Sequence, residues 1–291
     1  MPTAIPIVER SPVAMQRMAD AWRMAGKRIA FVPTMGGLHE GHTTLMRNAR
    51  HNADVLVASV FVNPTQFGKG EDFERYPRML DRDVQRAGEA GVDLVFAPDA
   101  GAMYPAGYGT YVDVEGITTV LEGAARPGHF RGVATVVTKL LNIVKPHVVY
   151  FGQKDAQQVA VIMRMMNDLN IDITLVVVPT VREPDGLAMS SRNIYLTEQQ
   201  RSESPVLYRA LQLGERRLRQ GKVHAADATK EMRALIATSS SGVIEYISIA
   251  DAGSLQELHG PVVDRPVLIS LAVRFGTTRL IDNILIPLAH S

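Results

Sequence analysis

The chain contains no cysteine and a single tryptophan in 291 residues. The first absence excludes disulfides, thiolate metal sites and a cysteine nucleophile, so any chemistry must use other groups. No apolar run approaches the roughly 18 to 20 residues of a membrane span, and the start of the chain lacks a basic segment followed by an apolar stretch of about 7 to 15 residues. A soluble cytoplasmic protein with no membrane partner is the expectation. Charge of one sign is not in excess either. Lys and Arg total 31 against 30 for Asp and Glu, and with no basic block in view nucleic acid is not expected as a partner. What is present is 46% hydrophobic residues, enough at this length for one large or two medium domains.

Apolar runs of strand length recur at residues 29–32, 55–62, 94–97, 148–151 and 173–178. Helical patterns at 42–52, 79–90, 133–145 and 156–169 separate most of them. Ser11-Pro12 reads as a cap and first helical position for a further helix that carries Met15, Met18, Ala19 and Trp22 on one stripe up to Gly26. Strands buried on both faces and alternating with helices predict a Rossmann-like, doubly wound parallel sheet, with ligands beyond the carboxyl ends of its strands. After Pro179 the texture changes. Thr197 and Gln200 fit a capping box, helices are expected over 206–219, ending at Gly221, and over 225–237, and strands over 243–249, 267–273 and 279–286. With only the Gly276-Thr277-Thr278 turn between them, the last two strands should be antiparallel. The expected division is therefore residues 1–180, an α/β domain, and 181–291, a smaller α+β domain with a short antiparallel sheet. A hinge falls near 178–186.

Two short segments carry most of the chemistry. Pro33-Thr34-Met35-Gly36-Gly37-Leu38-His39-Glu40-Gly41-His42 follows a strand and opens a helix. Free backbone N–H groups and the positive end of the dipole make such a helix start an anion site, and glycines let the anion approach closely. His39 and His42, three apart, share one face of the first turn. Ordinary helix-start residues or a pair of zinc ligands are the competing explanations, although the segment is not HExxH and no compact third ligand is visible. Lys154, in Gly152-Gln153-Lys154-Asp155, lies at a strand-to-helix junction but outside a GxxxxGK[ST] pattern, which excludes a P-loop. Asn63 and Gln66 follow a buried strand, where neutral polar groups can orient a small hydroxy acid; turn formation at Asn63-Pro64 is the alternative.

The second segment is Met189-Ser190-Ser191-Arg192-Asn193. Together with the first it resembles the HxGH nucleotidyltransferases, which act at the α-phosphate of a nucleoside triphosphate and use a mobile KMSKS-like loop; Arg192 stands where a lysine is usual in the synthetase version. Phe61-Val62-Asn63-Pro64-Thr65-Gln66-Phe67, Tyr76-Pro77-Arg78, Arg126-Pro127-Gly128-His129-Phe130-Arg131-Gly132, Phe151-Gly152-Gln153-Lys154-Asp155 and Leu280-Ile281-Asp282-Asn283 occur in the order seen in the pantothenate synthetase (pantoate–β-alanine ligase) family. The resemblance runs from about residue 28 to the end of the sequence.

It implies ATP-dependent amide formation between (R)-pantoate and β-alanine through a pantoyl adenylate, with AMP and pyrophosphate released. His39, His42, Lys154 and Arg192 would be the catalytic groups. ATP would also meet Pro33, Thr34, Met35, Gly152, Asp155, Val181, Met189, Ser190 and Ser191, with Ser190, Ser191 and Arg192 closing over the phosphates. Pantoate would be held by Asn63, Gln66 and Gln158. Magnesium is implied as a cofactor carried mainly on phosphate oxygens, with Asp83 as an outer-shell contact; Arg82 departs from the consecutive acidic residues usual there. Arg126, His129 and Arg131 are wall or dimer-interface residues or else catalytic, and Tyr76 is a further candidate. A homodimer through the N-terminal domain is implied by the family alone. Competing readings are another HxGH enzyme that leaves the nucleotide on its product, and a non-enzymatic ATP sensor built on the same fold.

Overall fold

A computed structural model of the chain describes residues 5–220, 224–260 and 265–287. They fall into two compact units: one runs to Gly152 and resumes over Gln158–Pro179, and the other comprises Gln153–Gln157 and the chain from Thr180 onward.

In the first unit the elements in chain order are β1 (Ile7–Glu9), α1 (Pro12–Met24), β2 (Ile29–Thr34), α2 (Glu40–Arg50), β3 (Val55–Val60), α3 (Leu80–Glu89), β4 (Leu94–Phe96), α4 (Ala100–Met103), α5 (Glu122–Ala125), α6 (His129–Val144), β5 (Val148–Gly152), α7 (Ala156–Asp168) and β6 (Thr174–Val178). The six strands form one sheet in the order β1-β4-β3-β2-β5-β6, and every pairing is parallel. Alternation along a strand sends its side chains to two cores. Ile29 and Phe31 of β2 pack with Met15 of α1, Leu140 of α6 and Ile162 of α7. Ala30 and Val32 pack on the other side with Met46 of α2 and Ala87 of α3. Each large side chain so buried contributes about 1.5–3 kcal/mol to folding. Successive crossovers lead from β2 through β3 to β4 on one side, and from β5 to β6 on the other, so the winding reverses between β2 and β5.

The Ser11 cap is present: its side chain accepts from the Ala14 backbone N–H, and Pro12 opens α1. β1, α4 and α5 go beyond the sequence expectation. α2 starts at Glu40, with His39 as its cap, and α6 starts at His129, ahead of the expected residue 133. β6 lies at an edge of the sheet and is only part-buried over Leu175–Val177, unlike the buried β5 beside it.

The second unit contains α8 (Glu198–Glu203), α9 (Val206–Arg219), α10 (Ala225–Ile236), β7 (Gly242–Asp251), β8 (Val267–Phe275) and β9 (Thr278–Ile286). β7-β8-β9 form an antiparallel sheet, with Phe275 opposite Thr278 at the β8–β9 turn. Leu211 of α9, Met232 of α10 and Ile269 of β8 share its core. The Thr197–Gln200 capping box is formed reciprocally. The expected stop at Gly221 lies outside the described residues.

Candidate active site

The turn after β2 is held from two sides. Thr34 Oγ1 donates to the Ser59 carbonyl at 2.6 Å and accepts from the Gly36 N–H at 3.1 Å. Gly36 has φ +85°, and a Cβ there would lie 2.9 Å from Asp83 Oδ2 and 3.0 Å from Val60 Cγ1. Only glycine fits such a position without strain. From α3, Asp83 accepts the Gly37 N–H at 2.9 Å and the Leu38 N–H at 2.8 Å. Burial pushes the Asp83 carboxyl above its ordinary range, and the two amides and Arg86 only partly oppose that push. Arg86 in turn donates to the Leu38 carbonyl.

At the start of α2 the two histidines cap the helix for each other. His39 Nδ1 accepts the Gly41 N–H at 3.1 Å, and His42 Nδ1 accepts the His39 N–H at 3.3 Å. An imidazole that accepts at Nδ1 carries its proton on Nε2 when neutral. The ring centroids lie 4.2 Å apart. Both imidazoles thus sit at the positive end of the α2 dipole as Nε2–H donors.

A short 3₁₀ turn, Pro64–Gln66, follows β3. Asn63 is 1% exposed and engaged on both ends of its amide: Nδ2 donates to Gln66 Oε1 at 3.1 Å and to the Gly132 carbonyl at 3.2 Å, while Oδ1 accepts from Tyr104 at 2.8 Å and from Thr65 Oγ1 at 2.9 Å. Burial pushes the Tyr104 hydroxyl up to about 12, so it stays a donor. With its oxygen held by Asn63, Gln66 directs Nε2 to Met35 Sδ at 3.1 Å, next to the glycine turn. The two motifs are thereby brought together. α6 comes so close to this turn that a Cβ on Gly132 would lie 2.3 Å from the Thr65 carbonyl oxygen.

Arg126 and His129 support the same turn. Arg126 forms a two-point pair with Glu71, at 2.6 and 2.5 Å, and its Nη1 lies 3.1 Å from His129 Nε2. His129 Nδ1 lies 2.8 Å from the Gln66 carbonyl, which can only accept, so the ring proton is on Nδ1 and Nε2 accepts from Arg126. Burial first, and the Arg126 charge second, bring His129 down to about 4. Burial alone would raise Glu71; the Arg126 guanidinium more than offsets it and leaves the carboxyl below its ordinary value. Arg126 and His129 thus brace the Pro64–Gln66 turn. Arg131 instead lies over the Tyr111 ring at 4.1 Å, and Tyr76 packs edge-on against Phe67 in the following loop.

In the second unit Gln153, Lys154 and Asp155 form another 3₁₀ turn. Lys154 Nζ is 3.9 Å from Asp155 Oδ1. Asn283 of β9 donates to the carbonyls of Gln153 and Lys154, at 3.0 and 2.8 Å, and accepts from Gln153 Nε2 at 3.0 Å. Arg182 meets Asp282 through two contacts, at 2.6 and 3.0 Å, and stacks 3.8 Å over the Tyr208 ring. Burial pushes the Asp282 carboxyl up, against the pull of Arg182. Residues 181–189 fold back on themselves, with Met189 N–H donating to the Val181 carbonyl at 3.0 Å. Ser190 then caps the 3₁₀ turn Ser191–Tyr195 by accepting the Arg192 N–H at 3.2 Å.

Of the remaining expected residues, Pro33 ends β2 beside Thr34, Gly152 ends β5, and Gln158 is a half-buried residue on α7 in the first unit. Asp83, the candidate magnesium contact, is 1% exposed and commits both oxygens to the glycine turn. Among the described residues no group of three or more His, Cys, Asp or Glu side chains is placed to hold a metal ion. These residues therefore do not build a protein cage for magnesium. Sequence reasoning gives no role to Arg182, Asp282, Asn283 or Tyr104; the polar Asp282-Asn283 pair inside an apolar strand is a signal for those two residues and for the Arg182 that meets Asp282, and none points to Tyr104.

A doubly wound parallel sheet with a glycine turn and a histidine-capped helix start beside its switch point defines a Rossmann-like α/β protein. The chain belongs to the pantoate–β-alanine ligase family, whose sequence model matches residues 7–285. It is 53% identical over 261 residues to the pantothenate synthetase of Acetivibrio thermocellus, covering 90% of this chain and 92% of that protein. The pantothenate synthetase of Moorella thermoacetica is 54% identical, with 94% and 96% covered. The crystal structure of pantothenate synthetase from Thermus thermophilus superposes with a TM-score of 0.88 at 44% identity, over 96% of this chain and 98% of that one. A pantoate–β-alanine ligase from Francisella tularensis, crystallised with β-γ ATP and β-alanine, gives a TM-score of 0.78 at 34% identity, with 96% and 97% covered. No helix among the described residues is long and apolar enough to cross a membrane.

Proposed function

We propose that this chain joins (R)-pantoate to β-alanine, using ATP, by way of a pantoyl adenylate. Family membership gives the ligation; the observation that carries the chemical reading is the reciprocal cap of His39 and His42, which presents two Nε2–H donors at the positive end of α2. A pantoate carboxylate oxygen attacks the α-phosphorus of ATP, and pyrophosphate leaves. The amine of β-alanine then attacks the acyl carbon, an amide forms, and AMP leaves with the carboxylate oxygen. No covalent bond to the protein is required. His39, His42, Lys154 and Arg192 supply charge and hydrogen-bond donors to the phosphates, with the donors in place before charge develops. Pro33, Thr34, Met35, Gly152, Asp155 and Val181 shape the nucleotide site, and Met189, Ser190 and Ser191 close over it and keep water from the adenylate.

Gln66 and Gln158 contact pantoate, and Asn63 contributes by fixing the Gln66 amide. Asp83 serves this chemistry through the glycine turn. Magnesium arrives on the triphosphate, held by phosphate oxygens and water, as is common for this ion. The domains divide the work: residues 1–180 hold pantoate and part of ATP, and 181–291 supply the lid. The protein works in the cytoplasm, where ATP is at hand, as a homodimer through its N-terminal domain; light scattering should give twice the chain mass.

Incubation of the pure protein with ATP, Mg²⁺, pantoate and β-alanine, followed by mass analysis, should yield pantothenate and AMP. A nucleotidylated product without an amide would instead select the rival nucleotidyltransferase reading, and ATP binding without turnover would select the sensor.

A further inference from the structure

The hydrogen bonds of the Asn283 carboxamide go to one short turn. Nδ2 donates one N–H to the Gln153 carbonyl and one to the Lys154 carbonyl, and Oδ1 accepts from Gln153 Nε2. Asn283 itself is 4% exposed, so water does not compete for these groups. Two successive carbonyls aimed at one point need a donor with two N–H groups. An apolar side chain would leave both unsatisfied, and a carboxylate would set oxygen against oxygen.

The strand that carries Asn283 is itself pinned. Its neighbour Asp282 meets Arg182 at 2.6 and 3.0 Å, and Arg182 also donates to the Gly186 carbonyl at 3.1 Å, inside the fold-back that leads to Ser190 and Arg192. Asn193 Nδ2 ties the loop to the Ala188 carbonyl at 3.1 Å. The Lys154 turn and the fold-back that leads into the Arg192 turn are therefore fastened to adjacent residues of β9.

We propose that Asn283 is a positioning residue for the ligase reaction, which acts by fixing the backbone of Lys154 so that its ammonium meets the triphosphate in one place. This rests on the reading of Lys154 as a phosphate contact. Side chains that orient metal ligands through hydrogen bonds typically matter by roughly 10- to 100-fold, and an effect of the same order is expected for a side chain that orients Lys154.

The test is a double-mutant cycle on the full chain, with kcat and KM measured for ATP and for pantoate. Asn283→Ala should lower kcat/KM for ATP by about 10-fold or more while leaving the pantoate KM within about two-fold. In a Lys154→Ala background the same change should cost less than about two-fold, because a residue that acts through Lys154 has nothing left to act on. If Asn283→Ala does not yield a folded protein by circular dichroism, Asn283→Ser, uncharged and with at most one donor for the two carbonyls, replaces it under the same criteria. A full additional loss in the Lys154→Ala background, or a near-normal single variant, overturns the positioning role. Wild-type activity in Lys154→Ala would instead overturn the reading of Lys154, and the proposal with it.

Discussion

Changing His39, His42 or Lys154 to Ala should each lower kcat/KM by at least about 10²-fold, the scale of losing one preorganised donor to a developing anion. Steady-state kinetics of the three variants checks this, and near-normal rates in two of them would contradict the assignment. His129 gives a different kind of test. It is neutral in the fold, brought down to about 4 from 6.5 by burial and by Arg126. Between those values the unfolded chain binds the proton and the folded one does not, so stability is fully present above about pH 6.5 and is lost as pH falls toward 4. The contribution is on the order of 3 kcal/mol. Denaturant midpoints from pH 7 to 4 should therefore fall more steeply for the wild type than for His129→Gln, and parallel curves would contradict a buried neutral ring. These residues also show what a sequence reveals. His39 and His42 were legible because their contacts are local, three positions apart at a helix start. Asp83 as the brace of the glycine turn was not, because Gly37 lies 46 positions away and only the fold makes them neighbours. Asn63 was legible as important but not in its task, since its partners Tyr104 and Gly132 come from distant parts of the chain.

Among the elements, the packing of α6 on the 3₁₀ turn Pro64–Gln66 is the most exacting contact near the site. A Cβ at Gly132 would lie 2.3 Å from the Thr65 oxygen and 2.7 Å from Gln66 Cα, both backbone atoms that cannot rotate away. Gly132→Ala should cost roughly 2–3 kcal/mol in a chemical unfolding experiment, as overpacking does. Because the displaced turn carries Gln66, the pantoate KM should rise more than the ATP KM; equal changes would show that the turn does not serve pantoate. The long elements were readable from sequence because their apolar repeats are strong: β2, β3, β5 and α7 all sit close to where periodicity put them. β1 escaped notice because it has three residues, and Ile7 and Val8 are both exposed. α4 and α5 are single turns of four residues, too short for a period to register. The early start of α6 follows from Gly128 at φ +82°, immediately before His129, in a segment whose sequence reads as a loop.

At the scale of the whole molecule, the chain leaves the first unit at Gly152, returns at Gln158 and leaves again after Pro179. The five residues Gln153–Gln157 carry no change in composition that would mark the first two crossings in the sequence. The consequence is that Lys154 is tied to β9 through Asn283, as the fold-back ahead of Arg192 is through Arg182 and Asp282, while His39 and His42 open α2 in the first unit. In the proposed function the reaction runs in two steps, and the first, adenylate formation, would be reversible and make no use of β-alanine. Given labelled pyrophosphate, ATP, Mg²⁺ and pantoate without β-alanine, the protein should transfer the label into ATP, and Arg192→Ala should slow that exchange together with overall synthesis. Exchange that requires β-alanine, or turnover that yields ADP, would contradict the adenylate route even if pantothenate were the product.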